Sequence, residues 1–329
     1  MPPIPVNTQS VVEPDLSIID SHHHLWLHTG KRYLIDEYAA DLASGHNVVA
    51  TVYVECSAMY RSHGPERLRS VGEAEFVAGM AAMSNSGLFG PTRICASFVG
   101  AADLSLGAAV EEVLEALDRA SGGRLRGIRG VAIWDADRSV NTGTRPFAPQ
   151  GLLLDKRFRE GAAVMARRGL VYDAWQYHPQ LPDLCSLADA LPDLTIVVNH
   201  CGGLLRIGPY ATSDTFEQWK RLVTQVAQRP NTLMKLGGLS ARRCGFGFDQ
   251  RSVPATADEI ADLWRPYIET CIDLFGPSRC LFESNFPPDS VSGDYRTLWN
   301  ALKITASRCS ASEKGQLFSG TARTVYRVE

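Results

Sequence analysis

The sequence has no apolar run of the roughly 18 residues that a membrane helix needs, so no membrane partner is expected. The first 15 residues lack the charged-then-apolar pattern of a secretory leader. They read as a Pro-containing N-terminal arm (1–15) ahead of a single domain over residues 16–329. No C-x-x-C pair occurs among the eight cysteines, which sit singly among apolar residues. Buried free thiols are placed this way, which argues against a disulfide framework and for a reduced, cytoplasmic setting. Nor is there a marked excess of one charge: 33 Lys and Arg against 36 Asp and Glu leave −3, and nothing points to nucleic acid. No Gly-rich phosphate fingerprint follows an early strand, which counts against a doubly wound nucleotide fold.

What is present is a regular alternation. Apolar runs at Leu16–Ile19, Val48–Glu55, Arg93–Val99, Leu125–Trp134, Leu170–Trp175, Leu194–Asn199, Thr232–Gly237 and Arg279–Glu283 read as strands. Several are apolar on both faces, as parallel strands covered by helices are. Amphipathic segments separate them, the longest over Pro65–Ser84 and Ala257–Phe275, and two more helices end the chain at about Tyr295–Ala306 and Ala311–Phe318. Eight β-then-α units without a long linker predict one α/β domain, a (β/α)₈ TIM barrel with extra C-terminal helices.

In that fold the chemistry lies at the C-terminal strand ends. Strand one runs into Asp20-Ser21-His22-His23-His24. Strand periodicity puts His22 and His24 on one side, a metal clamp or a paired proton-transfer device, and turns His23 away to a structural role. Strand two ends at Glu55 and strand four carries Arg129. Strand five offers Asp173 and Trp175, with His178 just beyond, where a loop role competes with a site role. Strand six delivers His200, strand seven Lys235, and strand eight Glu283 and Asn285, with Asp289 beyond two prolines. Arg129 inside an apolar strand needs a partner, either a substrate anion or a buried carboxylate, and Lys235 is open to the same two readings.

Asp20-x-His22-x-His24, Asn199-His200-x-Gly202 and Phe282-x-Ser284-Asn285-Phe286-Pro287, in that order after strands one, six and eight, resemble the amidohydrolase superfamily, and specifically its lactonase-like branch. The C-terminal Leu317-Phe318-Ser319-Gly320-Thr321-Ala322 resembles that branch as well. The resemblance implies a barrel hydrolase. It also implies one or two divalent metals held by the strand-one histidines, a strand-six histidine and a strand-eight Asp that doubles as general base. Some lactonase-like members are thought to work without metal, with histidines and an arginine polarising the carbonyl.

The chain departs from that pattern at Asn285, where most of the family has Asp. An amide cannot take a proton from water near neutrality and is a poor cation ligand. The expectation is therefore a hydrolase of a small lactone or cyclic ester, less readily an amide. His22, His24 and His200 hold one weakly bound zinc or manganese ion, or polarise the carbonyl directly. The catalytic set is His22, His24, His200, Asn285, Glu283 and Asp173, and the substrate contacts are Glu55, Arg129, Trp175, His178 and Lys235. A small molecule is the expected partner, and a homodimer is left open. Two other readings stand beside this one: a metal-dependent decarboxylase of an aromatic or unsaturated acid, and a binding protein on a hydrolase scaffold.

Overall fold

The computed structural model describes residues 9–28 and 30–329. Eight parallel strands follow one another around a nearly closed barrel: β1 (Ile18–His23), β4 (Val48–Val54), β5 (Arg93–Gly100), β6 (Leu125–Val131), β7 (Val171–Trp175), β8 (Ile196–Val198), β9 (Thr232–Leu236) and β10 (Cys280–Phe282). β2 (Trp26–His28) and β3 (Lys31–Tyr33) form a small antiparallel ribbon beside the mouth, which the sequence reading did not anticipate. Three-residue strands carry too little periodicity to be read.

The helices that cover the barrel are α1 (Ile35–Leu42), α2 (Val71–Asn85), α3 (Val110–Ala120), α4 (Lys156–Arg167), α5 (Leu181–Ala190), α7 (Thr215–Ala227) and α8 (Ala257–Phe275), with a four-residue turn α6 (His200–Gly203) after β8. Then come α9 (Tyr295–Thr305), α10 (Ala311–Gly315) and α11 (Thr321–Val325). α2 starts six residues later than Pro65 suggested, because residues 66–68 form a separate 3₁₀ turn. α8 starts where its sequence says it should: the Thr256 hydroxyl accepts from Glu259 N, and the Glu259 carboxylate accepts from Thr256 N at 2.8 Å.

Alternation along the strands builds two cores. Ile18, Phe98, Ile128, Tyr172, Ile196, Met234 and Phe282 point outward into the shell under the helices. Their neighbours Ile19, Val99, Val171, Val197, Leu233 and Leu281 point inward and pack with Tyr326 and Val328 from the C-terminal tail. Each such side chain, once buried, contributes on the order of 1.5–3 kcal/mol. The inward register then changes character along each strand. Val171 is followed two residues on by Asp173, Leu233 by Lys235 and Leu281 by Glu283, all three fully buried. The lower barrel is apolar and the upper barrel is ionisable because the period of two carries the same face upward.

Asp20 closes the ring. Its carboxylate accepts from Ser284 N at 2.9 Å, Ser284 Oγ at 2.6 Å, Tyr38 OH at 2.8 Å and Tyr295 OH at 3.0 Å. Asn285 N donates to His22 O and His24 N to Phe286 O, which completes the seam between the first and last strands. Of the expected arm, residues 1–8 lie outside the described residues. Residues 10–13 are tied to α9: Val12 N donates to Asn300 Oδ1, and the buried Lys303 ammonium donates to Val12 O and Glu13 O. Among the described residues, no helix is long and apolar enough to cross a membrane.

Candidate active site

The histidines stand at the barrel mouth as the strand period required. His22 Nε2 and His24 Nε2 face each other at 3.2 Å. His24 Nδ1 is 2.8 Å from Val54 O, so Nδ1 carries the proton and Nε2 keeps its lone pair. His23 turns outward, stacks on Tyr38 with centroids 4.3 Å apart, and meets Thr51 Oγ1 at 2.9 Å. His200 follows β8 in a left-handed conformation, φ 55°. Its Nδ1 lies 2.7 Å from Glu283 Oε1. Gly238 makes room for the ring, since a Cβ there would lie 2.1 Å from His200 Nδ1.

Glu283 sits beneath two histidines. Its second oxygen is 2.8 Å from His22 Nδ1 but is off hydrogen-bond geometry, and it is a buried carboxylate oxygen without a completed partner. Burial pushes the Glu283 carboxyl up to about 8, Lys235 pulling it down and Asp173 pushing it up. All three histidines are held well below the usual imidazole value, first by burial. Lys235 then acts on His22, Arg129 on His24 and Arg243 on His200.

One ligand atom each from His22, His200 and Glu283 lie within 4.8 Å of one another. Two imidazoles and a carboxylate, one of its oxygens unpartnered, are a donor set that suits a divalent cation. His24, which the sequence reading placed in the metal set, is not part of that group. Its Nδ1 is spent on Val54.

Above the histidines lies a chamber of about 530 Å³. His24, His200, Arg129, Trp175 and Asn285 line it, as do Trp26, Lys31, Arg145, Tyr177 and Arg243. Among the described residues, no acidic side chain does. Arg129 reaches the histidines, with Nη1 3.3 Å from His22 Nε2, while its Nε donates to Glu55 Oε1 at 2.6 Å. Arg145 donates to the other Glu55 oxygen at 2.8 Å. Glu55 would be raised by burial, but these two guanidinium groups outweigh that and hold it at about 2. Glu55 is thus an anchor for two arginines rather than a substrate contact.

Lys235 and Asp173 also find each other instead of the chamber. Lys235 Nζ donates to Asp173 Oδ2 at 2.7 Å, and both are fully buried. Asp173 therefore meets neither water nor substrate, and Lys235 is not available to an anionic substituent. Both point inward one layer below the mouth, a depth that spacing along the sequence does not reveal. His178 is structural: it is buried and its Nδ1 accepts from Leu205 N at 3.1 Å. Asn285 faces the chamber and donates to Asp289 Oδ1 at 2.9 Å, so the carboxylate beyond the two prolines turns back beneath it.

Two chamber arginines escaped the sequence reading. Arg145 and Arg243 lie in loops, Val140–Leu152 and Leu239–Pro254, whose paths no periodicity fixes. Among the described residues, the Arg243 side chain stacks on Trp175 at 4.5 Å, donates only to Gly238 O, and has a buried Nε with no partner. Two arginines in glycine-containing loops at barrel strand ends were the available signal.

A family model described as Amidohydrolase matches residues 19–328. The uncharacterized protein y4mH of Sinorhizobium fredii is 30% identical, covering 95% of this chain and 99% of its own length. An L-fucono-1,5-lactonase of Burkholderia multivorans is 27% identical, over 94% of this chain and 96% of that one. Among solved structures, an amidohydrolase from Burkholderia multivorans with bound zinc superposes with a TM-score of 0.73 at 23% identity, covering 95% of this chain and 99% of that one. This chain belongs to the amidohydrolase family.

Proposed function

We propose that this protein hydrolyses a small lactone, and that the ring carries an anionic or strongly polar substituent. The observation that carries the reading is that His24 Nε2 and Arg129 Nη1 converge on His22 Nε2, at 3.2 and 3.3 Å, beside a chamber without acidic lining among the described residues. Arg129 donates toward the carbonyl oxygen, where negative charge grows as water adds. His24, its tautomer set by Val54 O, accepts the proton of the attacking water. The ring C–O bond then breaks, and the same proton passes to the departing ring oxygen, giving a hydroxy acid. Burial keeps His24 neutral and able to accept at ordinary pH. Asn285 hydrogen-bonds the substrate in place of a base, its amide nitrogen held by Asp289. Trp26 and Trp175 provide apolar walls for the ring.

His22, His200 and Glu283 would hold a divalent cation, which would supply Lewis acidity to the carbonyl. The lactonase name of a full-length relative supports the reaction class. The anionic preference rests on this chain's own residues: with Glu55 neutralising one of Arg129 and Arg145, and with Lys31 and Arg243 added, the lining keeps a positive excess.

The test is a panel of sugar-acid lactones, with and without a carboxylate, followed by proton release with and without added zinc or manganese. Ring opening of at least one member is expected. No turnover of any lactone, together with carbon dioxide release from an aromatic acid, would replace the reading with a decarboxylase.

A further inference from the structure

The C-terminal tail reaches the active site from the opposite end of the barrel. After α11 the chain bends at Arg327, φ 49°, and Tyr326 and Val328 enter the barrel floor among Ile19, Val99, Val197 and Leu281. Ser97 Oγ donates to Tyr326 O at 2.9 Å, and Arg323 Nη1 to Val328 O at 3.0 Å, so the entering segment is fixed. The Tyr326 hydroxyl then points up the barrel and donates to Asp173 Oδ1 at 2.7 Å. Asp173 Oδ2 accepts from Lys235 Nζ at 2.7 Å and from Asn199 Nδ2 at 3.3 Å. Lys235 Nζ lies 3.3 Å from His22 Nδ1 and 5.1 Å from the Tyr326 ring centre. Tyr326, Asp173, Lys235, Asn199 and His22 are all fully buried.

A buried Lys–Asp pair recovers its desolvation cost only if the remaining oxygens and protons are satisfied. Tyr326 supplies the hydrogen bond to Asp173 that the barrel strands do not. Without it, Asp173 keeps one oxygen unsatisfied and is free to rotate. Lys235 then loses its fixed place between Asp173 and His22 Nδ1, where it sits beside the Glu283 carboxylate. We propose that Tyr326 is a positioning residue: the tail holds Asp173, Asp173 holds Lys235, and Lys235 fixes the ring of His22 under the chamber. The site is thereby completed by a residue from outside the barrel strands. The kinetic half of this inference rests on the lactone hydrolysis proposed above.

Tyr326→Phe keeps the ring and its packing and removes only the oxygen. On a lactone that the wild type opens, kcat should fall at least 10-fold while KM stays within twofold. Val328→Ala, which loosens the same tail without touching the hydroxyl, should lower the melting temperature and leave kcat within twofold. A two-dimensional ¹H–¹⁵N spectrum of histidine-labelled protein reads the His22 ring without any substrate. Its Nδ1 and Nε2 shifts should move in Tyr326→Phe and stay in Val328→Ala. Unchanged kcat and an unmoved His22 spectrum in Tyr326→Phe would overturn the inference. A moved spectrum in a protein that opens no lactone would support the positioning and overturn the lactonase reading instead.

Discussion

Glu283 Oε1 lies 2.7 Å from His200 Nδ1, and the same carboxylate accepts from the His200 main-chain N–H at 3.2 Å. Ring and backbone of one histidine are thus fixed by one side chain two residues before Asn285. Glu283 does not line the chamber; it lies beneath it, against His22 and His200.

Glu283→Gln keeps the shape and replaces one acceptor oxygen with a donor. His200 loses the carboxylate that holds its ring, and the His22–His200–Glu283 group loses a charged oxygen; the orienting contact alone is worth about 10- to 100-fold in activity. A fall in kcat of that size, with the circular dichroism spectrum retained, is expected from steady-state kinetics on the best lactone.

Among the described residues Arg243 has no carboxylate partner in an ion pair, whereas Arg129 and Arg145 share Glu55. Arg243→Met retains apolar contact with Trp175 and removes the charge. KM for a carboxylated lactone should rise about 10-fold or more, in line with a lost charge-assisted hydrogen bond. KM for the uncharged parent lactone should hardly move. Equal effects on both substrates would remove Arg243 from substrate recognition.

Gly238, φ +66°, lies against His200. In Gly238→Ala the new Cβ meets the imidazole and the backbone is strained by its left-handed conformation. A stability loss of about 2 kcal/mol or more is expected in urea denaturation, and residual activity should fall further than the stability loss explains, because His200 must move.

Glu73 gives a pH test away from the histidines. Its Oε1 accepts from Cys56 N, Ala58 N and Tyr53 OH, which pins the loop after β4. Burial, and then Glu55, push this carboxyl up to about 7 from an ordinary value of 4.5. Between those two pH values the folded chain binds more protons than the unfolded chain, so this group lowers stability as pH rises through that window. Glu73→Gln removes the titration. The stability of the variant relative to wild type should therefore increase from pH 4.5 to pH 7.5, by on the order of 2 kcal/mol. Parallel unfolding curves at both pH values would contradict the assignment.

The sequence by itself determined the barrel, because eight short apolar runs and the amphipathic segments between them are local properties of the chain. It also determined that His22 and His24 share a side, that His23 does not, and that His200 and Asn285 stand at the ends of the sixth and eighth strands. Depth and partnership were decided only by tertiary structure. Asp173, Lys235 and Glu283 occupy the same inward register as Trp175 and Arg129, yet they lie below the chamber and pair with one another or with histidines. The Tyr326–Asp173 contact spans 153 positions, and the Arg129–Glu55 contact spans 74. Contacts across such separations depend on how strands tilt and close into a ring, a global constraint that no local pattern carries.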